Sequence, residues 1–158
     1  MLVAQLRLVN EQILYSDRRI IACARSSEVG RLLMGIPGVG PVLASALVAT
    51  VADPKAFRSG RNLAAWIGLV PRQNSSGGKE RLGGITKQGD RYLRQLLVIG
   101  ALAVIRFAQR NGARRPWLVK LLARRTPKVA AVALANKTAR MAWAIMTSGE
   151  CYREPVAA

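Results

Sequence analysis

Histidine is absent from this 158-residue sequence, and cysteine occurs at only two positions. Without histidine there is no imidazole for acid–base catalysis, for a Ser-His-Asp or Cys-His catalytic arrangement, or for a metal site. Cys23 and Cys151 are too few for a disulfide framework, and they cannot form a zinc site alone. We therefore expect a reduced protein, and a cytoplasmic location is the default.

Acidic residues are also scarce, since the chain has only 8 aspartates and glutamates. A two-metal nuclease site needs clustered carboxylates that hold divalent ions beside a phosphate. Only Glu150 and Glu154 have a spacing that could place two carboxylates on one helix face, and they lie at the C-terminal end. The sequence therefore gives little support for a metal-dependent site within this chain.

No apolar run is long enough to span a bilayer, which takes about 20 residues. The longest run, residues 96–105, is more typical of a buried helix. Arg7 and Glu11 interrupt the segment that would have to form the apolar core of a signal peptide. We expect neither export nor a membrane partner.

Positive charge dominates instead, with 25 lysines and arginines and a net charge of +17. No acid occurs between Asp90 and Glu150, whereas the same stretch contains twelve cations. These are Arg91, Arg94, Arg106, Arg110, Arg114, Arg115, Lys120, Arg124, Arg125, Lys128, Lys137 and Arg140. A solvated face usually mixes both signs, so this pattern predicts a polyanionic partner, and nucleic acid releases counterions on each phosphate contact. An anionic membrane surface and a merely basic protein are the alternatives.

The apolar spacing predicts an all-α domain behind a helical arm. Leu2, Leu6, Val9 and Ile13 form a heptad-like seam in residues 1–25. This helix either mediates oligomerisation or packs on its own domain. We assign residues 26–150 to a compact helical domain and residues 151–158 to a loose tail.

Caps and prolines predict the remaining helices. The predicted helices are residues 28–34 after Ser26-Ser27, 41–52, 61–69 after the cap Ser59 and before Pro71, 91–110, 116–125 and 127–147. Residues 73–90 are predicted to form a loop that can hold a small hairpin.

A glycine turn, Ile36-Pro37-Gly38-Val39-Gly40, joins two of these helices. Glycines allow positive φ and let the backbone approach a phosphate without a Cβ in the way. The N–H groups of Gly38 and Gly40 and the N-terminus of the next helix would then bind one phosphate. The pattern resembles the helix–hairpin–helix motif that binds the DNA backbone. The alternative is a purely structural turn.

A second candidate site is the loop that contains Ser75-Ser76-Gly77-Gly78. Its cations, with those of the next helix, are Lys79, Arg81, Lys87, Arg91 and Arg94. A serine hydroxyl is a poor nucleophile unless it is deprotonated and the developing charge is stabilised. The cations can stabilise charge, but Asp90 and Glu80 are the only nearby carboxylates for the base. From the residues alone, both a phosphate-binding loop and a nucleophile remain open.

Tryptophan and arginine together mark a third candidate contact. Arg114 and Arg115 precede Trp117 at a predicted helix start, so all three are candidate nucleic-acid contacts. Core packing is the alternative for Trp117. Trp66 and Trp143 lie in apolar helical contexts, and we expect them in the core.

Linked motifs across residues 28–153 resemble the C-terminal transposase domain of the insertion-sequence "one-ten" family. The motifs are PGVG, AAWIGLVP, SSGGK, GGITKQGDRYLR and a late SGECY. This family comprises DEDD-plus-serine transposases related to the pilin-gene invertases. The resemblance implies a DNA recombinase that is guided by a structured bridge RNA, with the arm similar to the end of the family's coiled coil.

The resemblance also implies roles for individual residues. The serine next to the glycine would attack DNA, which maps to Ser76, with Ser75 as the fallback. Four carboxylates of an N-terminal RuvC-like domain would hold Mg²⁺, and sites would be assembled between subunits of a tetramer. That domain is not in this sequence, so we expect no cofactor in this chain and a truncated copy that cannot recombine DNA alone. The alternative is a non-enzymatic helix–hairpin–helix protein that binds DNA or RNA.

Overall fold

A computed structural model describes residues 1–74, 82–111 and 116–154 of the chain. Within these ranges the protein has seven α-helices, one 3-10 helix and one two-stranded sheet. The helices are α1 (Leu2–Ser26), α2 (Glu28–Met34), α3 (Pro41–Thr50), α4 (Gly60–Ile67), α5 (Arg91–Asn111), α6 (Pro116–Leu122) and α7 (Pro127–Ser148); the 3-10 helix is Pro54–Ala56, and the strands are β1 (Pro71–Gln73) and β2 (Leu82–Ile85). The all-α prediction is confirmed. The small hairpin overlaps the predicted loop, residues 73–90, but its first strand begins two residues before it, at Pro71.

Serine caps begin two of the helices where the sequence predicted them. The Ser27 hydroxyl accepts a hydrogen bond from the Gly30 N–H at 3.1 Å, at the start of α2. Ser59 accepts one from the Asn62 N–H at 3.4 Å, at the start of α4. The helix predicted over residues 61–69 ends two residues earlier, at Ile67. Gly68, with φ of 82°, ends the helix in the left-handed conformation that favours glycine.

The core is built around α5 and α7, with α3 and α4 packed against them. The side of α7 that faces the core is rich in alanine, because Ala130, Ala131, Ala135, Ala139 and Ala142 are each fully buried. Such small side chains let neighbouring helices approach closely. The larger residues that fill the remaining space are Leu33, Ile36, Leu47, Leu63, Ile67, Leu69, Leu93, Leu97, Ile105 and Leu118.

Helix α5 is the described helix whose length and apolar composition would allow it to cross a membrane. Leu93, Leu97, Ala101 and Ile105 are buried at a spacing of four residues, which is the stripe of an amphipathic helix on a protein core. Its other faces carry exposed residues, including Arg106 and Phe107. The packing therefore uses α5 as the central helix of the domain.

Only the C-terminal end of helix α1 packs on the domain. Ala24 is buried there, and the Ser45 hydroxyl donates a hydrogen bond to the Ile20 carbonyl at 3.4 Å. Residues 1–19 are all exposed. The predicted seam is exposed as well: Leu2 75%, Leu6 64%, Val9 49% and Ile13 53%. The seam therefore does not pack on the described part of its own domain.

Candidate nucleic-acid interface

The hairpin frames the predicted nucleophile loop. Strand β1 pairs with β2 in antiparallel fashion, with Pro71 opposite Ile85 and Gln73 opposite Leu82. Residues 74–81 connect the two strands. Residues 75–81 lie outside the described residues, and they include Ser75, Ser76, Lys79 and Arg81. The hairpin nevertheless fixes where this loop begins and ends, because its two ends leave paired neighbouring strands.

Backbone hydrogen bonds tie the base of the hairpin to the end of α4. The Thr86 N–H donates to the Val70 carbonyl at 2.8 Å, and the Lys87 N–H donates to the Gly68 carbonyl at 3.2 Å. The Arg72 guanidinium donates to the Thr86 carbonyl at 3.2 Å. The hairpin is thus anchored to the helical domain at its open end.

Two glycines make this anchoring possible. A Cβ on Gly68 would collide with the carbonyl oxygen of Gln88, and a Cβ on Gly89 would collide with the carbonyl oxygen of Trp66. Both glycines have positive φ, 82° and 89°. The segment after β2 therefore runs in direct backbone contact with the C-terminal end of α4.

Lys87 lies between these contacts in an unfavourable backbone conformation. Its φ of 57° is the one positive value at a non-glycine residue in the described ranges. The left-handed region costs an L-residue roughly 1–2 kcal/mol. The Lys87 side chain is exposed. A cation is thus held at the surface beside the hairpin by a strained backbone.

The start of α5 uses one candidate residue as a cap. The Asp90 carboxylate accepts a hydrogen bond from the Leu93 N–H at 2.7 Å, which caps the helix. The candidate base of the sequence analysis is therefore engaged in a structural contact. Glu80, the other candidate base, lies outside the described residues.

The two arginines of this segment differ. Arg94 is half-buried, and its guanidinium Nη1 donates to the Ile67 carbonyl at 2.7 Å and the Gln88 carbonyl at 3.4 Å. It joins α5 to the end of α4 and to the segment after β2. Arg91, by contrast, is exposed. Arg91 and Lys87 are therefore the described cations of this site that face solvent.

The glycine turn between α2 and α3 packs on the middle of α5. Gly38 has φ of 88°, and a Cβ on it would lie 2.8 Å from the Gly100 carbonyl oxygen and 2.9 Å from Val104 Cγ2. A Cβ on Gly100 would in turn collide with the Gly38 carbonyl oxygen. Gly38 is thus required for helix packing. The contact agrees with the structural-turn alternative, but the partner Gly100 was not predictable because it is distant along the chain.

Gly40 differs from Gly38 in both conformation and surroundings. It is the N-cap of α3 with φ of −91°, so the expectation of positive φ is right for Gly38 and wrong for Gly40. Gly40 is exposed, and a Cβ on it would have no atom within 4 Å. The N-terminus of α3 is therefore open at this residue.

Most cations of the acid-free stretch are at the surface. Arg114 and Arg115 lie outside the described residues. The exposed members are Arg91, Arg106, Arg110, Lys120, Arg124, Arg125, Lys128 and Arg140, and the half-buried ones are Arg94 and Lys137. The surface charge that the sequence predicted is thus available to a partner.

The tryptophans occupy three different environments. Trp66 is 41% exposed and makes an edge-to-face contact with Phe57, so its assignment to the core is wrong. Trp143 is half-buried, and its indole N–H donates to the Pro54 carbonyl at 2.9 Å. Trp117 is also 41% exposed, and the Lys137 Nζ lies 4.8 Å from its ring centroid. The pairing of Trp117 with Lys137 gave no signal in the sequence.

The sequence of this chain matches a known protein family over more than half of its length. Residues 30–115, more than half of the chain, match the family described as "Transposase IS116/IS110/IS902 family". The chain belongs to this family of transposases. The matched residues include the glycine turn, α3, α4, the hairpin and α5. The resemblance drawn from the sequence motifs is confirmed.

Individual transposases of this family give the extent of the similarity. "Probable family 20 transposase" of Pseudomonas aeruginosa is 48% identical over 150 residues, covering 94% of this chain and 44% of that protein. "Transposase for insertion sequence element IS1111A" of Coxiella burnetii is 44% identical over 138 residues, 87% of this chain and 38% of that protein. The chain therefore spans less than half the length of these transposases.

The metal ion implied by the transposase resemblance does not fit the described residues. Within residues 1–74, 82–111 and 116–154, no group of three or more His, Cys, Asp and Glu side chains could hold a metal ion. These ranges alone therefore do not provide a ligand set for Mg²⁺.

Proposed function

We propose that this chain is the DNA-binding, nucleophile-bearing part of an IS116/IS110/IS902-family transposase. The observation that carries the proposal is the hairpin, which is anchored to α4 and α5 and brackets Ser75 and Ser76. Exposed Lys87 and Arg91 follow it in the chain. A serine in the loop that joins two paired strands, with cations near it along the chain, suits attack on a phosphodiester.

The proposed reaction is a transesterification at phosphorus. The Ser76 hydroxyl loses its proton to a base, and its oxygen bonds to the DNA phosphorus. The bond between phosphorus and one deoxyribose oxygen breaks, and that oxygen takes up a proton and leaves as a hydroxyl. Cations beside the phosphate stabilise the charge that develops on its oxygens.

Lys87 is our candidate for such a cation within the described residues. Backbone strain at an exposed residue persists where the surrounding structure imposes it, and such strain is concentrated at functional sites. Here the hydrogen bond from the Lys87 N–H to Gly68 and the glycine contact of Gly89 impose it. Arg91 would contact the same strand from the first turn of α5.

The turn between α2 and α3 would contact the DNA backbone as a helix–hairpin–helix element. The first N–H groups of a helix have no intrahelical partner, and they bind phosphate well. In α3 these are the N–H groups of Gly40, Val42 and Leu43, because Pro41 has none. The open surroundings of Gly40 support a contact there. Because Gly38 is packed on α5, its contribution would be to shape the turn and present its N–H to the same phosphate.

Further partners belong to the same proposal. We propose that a bridge RNA guides the protein and that α1 joins copies of the chain through its exposed seam. A RuvC-like domain would hold the Mg²⁺ required for recombination. The free, exposed cysteines Cys23 and Cys151 fit a cytoplasmic location.

A covalent-adduct experiment tests the nucleophile. The chain is incubated with Mg²⁺ and labelled DNA from the element end, with and without a full-length relative such as the Pseudomonas aeruginosa transposase. We expect a protein–DNA adduct that is lost in Ser76→Ala, kept in the matched control Ser75→Ala, and accompanied by unchanged DNA binding.

The second candidate function is a non-enzymatic nucleic-acid-binding module. The observation that favours it is the engagement of Asp90 as a helix cap, which removes one candidate base. If a full-length relative with the alanine corresponding to Ser76 still cuts and joins DNA, the nucleophile proposal is wrong. The binding module then remains as the function of this chain.

A further inference from the structure

A cleft of about 810 Å³ lies between α4, α6 and α7. Arg61, Trp117, Lys137, Arg140 and Trp143 are among its lining residues. None of the described lining residues carries a carboxylate. We call this the tryptophan cleft. It combines exposed aromatic surface with positive charge, and the functions proposed above do not use it.

Helix packing brings the cations of the tryptophan cleft together. A Cβ on Gly60 would lie 3.0 Å from the Arg140 Cα and its carbonyl oxygen, so the first turn of α4 rests on the backbone of α7. Arg61 is the next residue, and both Arg61 and Arg140 line the cleft. Lys137 lies one turn before Arg140 on the same face of α7, since residues three apart are neighbours on a helix.

Contacts with the domain hold the two tryptophans of the cleft, Trp117 and Trp143, in place. Leu118 is fully buried and anchors α6, which leaves the neighbouring Trp117 at the surface with 41% exposure. The Lys137 ammonium lies 4.8 Å from the Trp117 ring centroid, which is a cation–π contact. Trp143 is held by its hydrogen bond to the Pro54 carbonyl. Lys137 lies over the Trp117 ring, and the remaining exposed indole surface is held in a fixed position where a base could stack.

The tryptophan cleft also adjoins the hairpin. Asn136 is one of its lining residues, and the Asn136 side-chain amide donates to the Leu69 carbonyl at 3.1 Å. Leu69 lies two residues before β1. A nucleic-acid strand bound in the cleft would therefore continue close to β1, which precedes Ser75 and Ser76 in the chain.

We propose that the tryptophan cleft binds an unpaired nucleotide of a single-stranded nucleic acid, with its base stacked on Trp117 and its phosphates on Arg61, Lys137 and Arg140. The indole selects for an unpaired base, because the bases of a duplex are already stacked and paired, whereas single strands stack readily on aromatic side chains. An acidic peptide would match the cations but would leave the indole unused. The inference rests on the proposed nucleic-acid-binding function and adds a single-strand site to it.

Tryptophan fluorescence of the full chain tests the stacking. The chain is titrated with short oligo(dT), short oligo(U) and a duplex of the same length. We expect quenching by a single strand, a loss of single-strand affinity of about 5- to 100-fold in Trp117→Ala, and less than about a twofold change in duplex affinity. Trp117→Phe keeps a ring and should lose only a few-fold, which guards against misfolding of the alanine variant.

Trp66→Phe is the matched control, because Trp66 has the same 41% exposure and is not among the lining residues of the tryptophan cleft. It should leave both the affinity and most of the quenching unchanged. Arg61→Gln and Lys137→Gln should each reduce the salt dependence of single-strand binding by about 0.7 in log–log slope. Arg7→Gln, on the exposed part of α1, is the charge control and should leave that slope unchanged.

Three outcomes distinguish the inference from the function on which it rests. Quenching and affinity loss with either oligo(dT) or oligo(U), in the pattern above, support it and identify the strand as DNA or RNA. Normal duplex binding without a Trp117 effect on single strands overturns this inference and leaves the proposed function standing. Absence of binding to every nucleic acid overturns both.

Discussion

The arm and the helical domain contain the same kinds of apolar residues, but the arm exposes them and the domain buries them. Leu6 on α1 is 64% exposed, whereas Leu33 on α2 is fully buried, although both lie on amphipathic helices. The domain buries its leucines because α5 and α7 provide a shared surface on which α3 and α4 pack. The exposed part of α1 has no such surface among the described residues. The comparison teaches that an apolar stripe specifies a contact face, and that tertiary neighbours specify the contact.

The largest change in the free energy of unfolding should come from truncating a buried leucine of the helical domain. Leu97→Ala, at 1% exposure, should lower the free energy of unfolding by about 2–5 kcal/mol because it leaves a cavity in the α5 stripe. Leu6→Ala on the arm should change it by less than about 0.5 kcal/mol in dilute protein. Urea denaturation followed by circular dichroism measures both. Equal losses would contradict the contrast between arm and domain.

A matched pair of glycines tests the packing of the turn on α5. Gly38→Ala should cost about 2–4 kcal/mol, because it combines positive φ with a clash against Gly100. Gly40→Ala should cost no more than about 1 kcal/mol, since the site is open and only the N-cap preference is lost. The melting temperatures of the two variants give the comparison. A tolerated Gly38→Ala would show that the turn does not depend on α5.

The apolar seam of α1 should contribute to self-association of the chain. Ile13→Gln should weaken self-association by about 10- to 100-fold, because burial of such a side chain is worth roughly 1.5–3 kcal/mol. Glu11→Gln, on the opposite face of α1, is the control and should leave the association constant nearly unchanged. Sedimentation equilibrium measures both. A monomeric wild-type chain at high concentration would instead show that the arm does not pair with a second copy.

The smallest effect should come from relieving strain within the domain. Lys87→Gly removes the left-handed penalty and should stabilise the fold by up to about 1 kcal/mol, less than the full penalty because glycine also gains freedom in the unfolded chain. The same change should weaken DNA binding a few-fold, because it removes one phosphate contact. Thermal unfolding and a DNA-binding titration are compared on one preparation. Unchanged DNA binding would show that Lys87 has no part in the proposed site.

Local chemistry made several helices predictable. Residues 28–34 follow from Ser27, and the start of α4 follows from Ser59, because a cap is a contact within a few residues. The prediction ends α4 at Leu69, before Pro71, whereas in the structure Gly68 ends the helix after Ile67. Trp66 was placed in the core from its apolar neighbours, although a helix can expose one face to solvent.

The candidate site was predictable in composition and less so in geometry. The excess of cations and the serine loop are visible in the sequence, and the exposed Lys87 and Arg91 agree with it. The role of Arg94 was not predictable, because its carbonyl partner Ile67 lies on another helix. Nor was the tryptophan cleft, since it needs α4, α6 and α7 to meet.

The amino-acid sequence by itself determined the helical class, the positive charge and the family, because periodicity, caps, composition and linked motifs are properties of neighbouring residues. Tertiary structure alone decided that Gly38 meets Gly100, that Asp90 and Arg94 serve as structural contacts, and that Trp117 stands beside Lys137. These contacts form when the helices bury their apolar faces against one another. Which polar and aromatic groups then become neighbours depends on how the whole domain packs.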